Sequence, residues 1–242
     1  FYENHRLQII LNRKLERINL KKRRLTTDQK EEVNFDILII TDTPEVKFPE
    51  IKGMGKGGVF GPRSLSDIKN MMQELAWVDT VAVETTTPAG VRFAQAFKNY
   101  NKEVILITPS RHLLAEWLDE SMAAILKRLL EAQGLQIICD NAIAEVLGDS
   151  WVKAVRLKTG KVLATQMAVF GDAKADLKIF SESGLELPEG LKVNDYLQTN
   201  MDHVYAVDDV ASFREESVRL SYPLSLLELE EQGRVVAGRI QG

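Results

Sequence analysis

"VAVETTTPAG", residues 81–90, is an apolar run followed by three threonines, a proline and a single glycine. Its surroundings set the fold class. "VDTVAVE" (78–84) reads as a buried strand, "TTTP" as a turn and "AGVRFAQAFKNYN" (89–101) as a helix. The pattern continues with a strand in "EVILITP" (103–109), a helix through "RHLLAEWLDESMAAILKRLLEAQG" (111–134) and a strand in "LQIIC" (135–139). Strands alternating with helices at this spacing predict a parallel, doubly wound sheet. "AIAEVLGDSWVKAVRLKTGKVLATQMAVFG" (142–171) then reads as a β-meander returning to one more buried strand.

The turn lies where such a sheet places a phosphate loop. The dinucleotide form of that loop is G-x-G-x-x-G: the first glycine makes the turn, the second admits the pyrophosphate, and the third lets helix and strand pack closely. With the third on Gly90, the first falls on Thr85 and the second on Thr87. Threonine is β-branched and poorly suited to positive φ, so Thr87 is expected to stiffen the loop and to fill space a phosphate needs. The acid that would hold the adenosine ribose about 20 residues on falls at Thr108. Arg111 and His112 beside it suit a 2′-phosphate or, alternatively, are surface residues.

Further out, the first residues read as the end of a helix, followed by a strand "LQIILN" (7–12), then "KLERINL" (14–20) and a hairpin through "KKRRLTTDQKEEVNFD" (21–36). The basic run Lys21–Arg24 can be an anion site or a solvated hairpin face. "FDILIITDTP" (35–44) is a buried strand closed by turn chemistry. The glycine-rich "EIKGMGKGGVFGPRS" (50–64) reads as a hinge or domain crossing, leading into a helix capped by Ser64 or Ser66. The tail supplies a strand and turn in "VYAVDDVASF" (204–213) and a helix in "LSLLELEEQGRVVAGRI" (224–240).

Composition bounds the function classes. The 242 residues are 45% apolar and 27% charged with a net charge of −4, an ordinary globular balance without a nucleic-acid footprint. No apolar stretch reaches the roughly 18–20 residues that span a bilayer, so no membrane role is expected. One cysteine, Cys139, excludes an internal disulfide and a redox-active pair and fits a reducing compartment, with the cytoplasm the expectation. Three scattered histidines give no metal-ligand spacing. Trp77, Trp117 and Trp151 are expected in the core or at a domain interface.

The order of elements and several local phrases resemble the FAD-dependent pyridine nucleotide-disulfide oxidoreductases, in the branch of rubredoxin and ferredoxin reductases, NADH oxidases and the nitrite reductase flavin domain. "IITDTP" is similar to the family's Ala-Thr-Gly strand end, with Asp42 in the glycine place, and "AVFGDAKAD" to the second such end, with Asp172 there. "VYAVDDVASF" is similar to the flavin-binding tail, where Val207, Asp208 and Asp209 stand for Ala-Gly-Asp. The resemblance implies two interleaved α/β FAD/NAD(P)-binding, Rossmann-like three-layer domains, the first incomplete. These are a partial FAD-type domain of residues 1–74 and 197–242 and an inserted NAD(P)-type domain of residues 75–196. It implies FAD and NAD(P)H as cofactors, with Thr41 and Asp209 at the flavin and Thr85, Thr87, Gly90 and Arg111 at the nicotinamide dinucleotide. Catalytic residues are not assigned.

The resemblance further implies an N-terminal FAD unit and a C-terminal interface domain that this sequence lacks. A missing N-terminal segment or a partner chain is expected to complete the FAD-type sheet, within an oligomer or complex and with a redox protein as partner. Two readings of function stand. One is part of a flavin-linked oxidoreductase that passes electrons from nicotinamide to flavin to an acceptor, its NAD site degenerate. The other is a non-catalytic relative serving as a binding or scaffold subunit.

Overall fold

The computed structural model describes residues 7–41, 46–62, 64–172, 174–175, 177–188, 190–215, 218–219 and 226–241. The chain forms two compact units, residues 1–44 with 176–242, and residues 45–175. These boundaries, at 44/45 and 175/176, differ from the 74/75 and 196/197 expected from the resemblance.

The first unit opens with β1 (Leu15–Asn19), β2 (Arg24–Thr27) and β3 (Glu32–Asn34), an antiparallel three-stranded sheet, followed by β4 (Leu38–Ile40). Arg24 reaches Glu32 and Asn34 across this sheet, so the basic run belongs to a solvated hairpin. The expected strand at 7–12 is not formed: Leu7–Leu11 pair with no strand among the described residues and are largely exposed. The helix end expected before it, and the turn at Asp42, lie outside the described residues.

The chain then builds the second unit with β5 (Val46–Lys47), β6 (Val59–Phe60), α1 (Leu65–Leu75), β7 (Thr80–Glu84), α2 (Pro88–Asn99), β8 (Glu103–Ile107), α3 (Glu120–Ala132) and β9 (Leu135–Ile138). It continues through β10 (Ile143–Leu147), β11 (Ala154–Leu157), β12 (Val162–Ala164), β13 (Met167–Phe170) and β14 (Lys174–Ala175). Back in the first unit come β15 (Leu191–Val193), β16 (Val204–Ala206), β17 (Ala211–Glu215), β18 (Val218–Arg219) and α4 (Leu226–Gln241). There β4 pairs in parallel with β16, and β15 in parallel with β17.

The core of the second unit is a five-stranded parallel sheet in the order β6-β13-β7-β8-β9. Its strands alternate between two buried faces. Val81 and Val83 of β7 and Leu106 of β8 join Met71, Phe97 and Leu130 of the three helices in one cluster. Ala82 and Ile105 join Val146, Val155 and Leu163 of the antiparallel meander β10-β11-β12 in another. Helices, sheet and meander make three layers, which explains the continuous apolar runs of these strands.

Local chemistry fixes the helix starts. Ser64 caps α1 in a reciprocal box with Asp67. The long helix expected over 111–134 begins only at Glu120, because Leu114 takes a left-handed φ of 53° and Asp119 caps the helix by accepting from Met122 N–H. The glycine-rich stretch is not a free hinge. Its backbone pairs with the meander at Lys52–Glu145 and Gly57–Trp151, and a Cβ at Gly57 would lie 2.2 Å from the Trp151 ring. Trp117 packs partly buried on the core, as expected, whereas Trp77 is 89% exposed at the end of α1. No helix among the described residues is long and apolar enough to cross a membrane.

Candidate functional site

Strand β7 lies at the centre of the parallel sheet, and its two neighbours are reached in opposite ways. The chain goes to β8 through α2 and comes back to β13 through the meander on the other face. A crevice outside the carboxyl ends of two such strands is where open α/β sheets bind ligands. The residues at that end are Glu84 and the threonine turn from β7, and Gly171 and Asp172 from β13.

Register determines what meets there. Phe170 pairs with Glu84, and Gly171 N–H donates to Glu84 O at 2.9 Å, so Asp172 comes level with the threonines. Its carboxylate accepts from Thr85 Oγ1 at 2.6 Å, Thr86 Oγ1 at 2.7 Å and Thr87 Oγ1 at 3.0 Å, and also from Thr86 N–H. Thr87 N–H in turn donates to Thr85 Oγ1 at 3.0 Å, and Thr87 caps α2. Neither Thr85 nor Thr87 has positive φ, so this turn suits β-branched residues where the glycine form would not.

Gly90 keeps the role of the third glycine. A Cβ there would lie 2.1 Å from Thr85 Oγ1, and one at Gly171 would lie 2.7 Å from Gly90 Cα, so helix and strand ends touch without side chains. Glu84 adds a second carboxyl beside Asp172. Burial pushes its pKa up to about 7, against the Ile143 N–H that hydrogen-bonds it; Asp172 raises it further and Lys158 opposes.

The structure therefore brings Thr85, Thr87 and Gly90 together and leaves Arg111 exposed on the loop after β8. Thr108 is fully buried, its backbone bonded to Ile138 and Asn141. Asp172 was read in the sequence as a glycine replacement, and its partnership with the threonine turn was missed, because 87 residues separate it from Thr85. The signal was an acid two residues beyond the buried strand that follows the meander.

These residues do not fit a dinucleotide pyrophosphate. The Thr85, Thr86 and Thr87 hydroxyls and the Thr86 amide already serve Asp172, whose carboxylate occupies the turn. The flavin side differs. The β4–β16 ladder sets Thr41, exposed at the end of β4, beside the segment 207–209, since Ala206 pairs with Ile40 and Val207 N–H donates to Ile40 O. Asp208 holds a φ of 66° in the place of the family glycine, so the backbone turn is kept despite the side chain, and its N–H donates to Gln232 Oε1 at 2.8 Å.

The sequence profile of the pyridine nucleotide-disulphide oxidoreductases matches residues 2–223. The chain belongs to this family. Among curated relatives it is 26% identical to nitrite reductase [NAD(P)H] of Bacillus subtilis (strain 168) over 243 aligned residues, covering 100% of this chain and 30% of that protein. It is 24% identical to rubredoxin-NAD(+) reductase of Ectopseudomonas oleovorans, over 88% of this chain and 56% of that one. In fold it matches a ferredoxin reductase from Rhodopseudomonas palustris with a TM-score of 0.87 at 19% identity, covering 100% of this chain and 60% of that structure. The chain thus spans about a third of the first relative and less than two thirds of the other two. The expected α/β, Rossmann-like fold and the oxidoreductase family are both as read from the sequence.

Proposed function

We propose that this chain is part of a flavin-linked oxidoreductase of the family whose nicotinamide entrance is closed, so that its flavin exchanges electrons with a donor other than NAD(P)H. One observation carries the reading: the Asp172 carboxylate takes four hydrogen bonds from the turn that a dinucleotide pyrophosphate would need. Placing a pyrophosphate against that carboxylate in a partly desolvated turn costs on the order of a few kcal/mol. On this reading the unit of residues 45–175 is the NAD(P)-type domain and the unit of residues 1–44 and 176–242 is the FAD-type one. FAD, when bound, would carry the electrons. Thr41 and Asp209 would hold it, with the left-handed Asp208 shaping the turn between.

The relatives are named for redox work with nitrite and rubredoxin, which supports a redox protein or a second catalytic domain as the acceptor. The test is an absorbance spectrum of the full-length protein as purified, followed by anaerobic titration. The expected outcome is a flavin band that dithionite bleaches and that neither NADH nor NADPH changes. Bleaching by either nucleotide overturns the reading.

A second reading, a non-catalytic subunit that keeps the fold for binding, draws on an apolar groove of about 290 Å³ in the first unit. It is lined by Ile39, Val207, Val236, Ala237 and Ile240, beside the exposed face of β4. A protein with no flavin band, even after incubation with FAD, would select this reading.

A further inference from the structure

We propose that Asp172 is the resident anion of the threonine turn, a covalently attached stand-in that keeps external phosphate groups out of the crevice at the end of the central strand. The inference rests on the reading that the nicotinamide entrance is closed, and names the residue that closes it.

The case begins with register. β13 pairs with β7 so that Phe170 meets Glu84, and the next residue, Gly171, passes so close to Gly90 that a Cβ on it would lie 2.7 Å from Gly90 Cα, while a Cβ on Gly90 would meet Thr85. The residue after it is thereby delivered to the mouth of the turn. A carboxylate of two oxygens there meets three hydroxyls and one amide, which divide evenly. Oδ1 accepts from Thr85 and Thr87, and Oδ2 accepts from both the amide and the hydroxyl of Thr86. Two oxygens, each taking two donors, reproduce what a phosphate presents to such a turn with two of its own oxygens.

Tethering settles the competition. A side chain fixed beside its donors acts at an effective concentration far above that of a free anion, and an entering phosphate must both displace it and accept its charge as a neighbour. Thr85 is 1% exposed, so its short 2.6 Å bond to the carboxylate could be replaced within the turn only by a longer contact such as the 3.3 Å one to Thr87 O. The three consecutive threonines also become intelligible: hydroxyls replace the free amides and open space of a glycine turn with donors matched to a carboxylate.

The test compares full-length wild-type protein with D172A by thermal melting, in chloride buffer and in inorganic phosphate at matched ionic strength. D172A is expected to melt several degrees below wild type in chloride and to regain at least about 3 °C in phosphate, while wild type shifts by less than about 1 °C. Equal responses of the two proteins to phosphate overturn the proposal. D172S, which keeps one hydroxyl in the turn and still leaves room for an anion, gives the same readout if D172A does not fold. Failure of the two inferences is separable. A wild-type flavin bleached by NADH removes the closed-entrance reading, whereas the role of Asp172 is decided by the phosphate comparison alone.

Discussion

Glu84 holds its carboxyl against the trend of its neighbourhood. Burial raises its pKa to about 7, Asp172 adds to the rise, and only the Ile143 N–H and Lys158 oppose it. The folded state therefore binds a proton that the unfolded chain has released, over the interval from the ordinary carboxyl value of 4.5 up to about 7. Stability must fall as pH rises through that interval, and the loss is complete above it. At about 1.4 kcal/mol per pKa unit the contribution is on the order of 3 kcal/mol. In E84Q the neutral amide still accepts from Ile143 through its oxygen. The variant is expected to match wild type near about pH 5 and to be more stable by about 1–3 kcal/mol near about pH 8. Urea unfolding at the two pH values checks this, and a wild-type-like pH slope in E84Q would refute it.

Among the elements, the glycine-rich segment before α1 shows how a loop can be structural. Gly57 pairs with Trp151 and lets its backbone lie against the indole, while Gly58 turns with a φ of 83°. Adding a methyl at Gly57 forces the indole away from the loop. G57A is expected to lose about 1–3 kcal/mol and to shift the tryptophan emission, measured by chemical unfolding; unchanged stability would mean that the indole is not what holds this loop. The same segment marks the boundary of what sequence could reveal. The buried runs of β7, β8 and β13 and the meander were legible because their period matches two covered faces. β6, only two residues long, carries no period, so its place at the edge of the central sheet could not be read from the sequence. Thr85, Thr87 and Gly90 were legible by spacing as the turn between β7 and α2. The Asp172 clasp was not, because it follows from strand order and register.

The whole molecule is one unit inserted into another, and the inserted one has the marks of independence. Both faces of its parallel sheet are covered, by helices on one side and the meander on the other. Its two ends are joined to each other, since β5 and β14 pair antiparallel through Lys47–Lys174 and Val46–Ala175. An insertion whose ends meet costs its host little and can close its own core, so residues 45–175 are expected to fold alone. All three tryptophans lie within this unit, and their fluorescence reports it both in the isolated fragment and in the full chain. The fragment should unfold in urea in a single transition that coincides by fluorescence and far-ultraviolet circular dichroism. Transitions that fail to coincide would mean that its three layers depend on the surrounding unit.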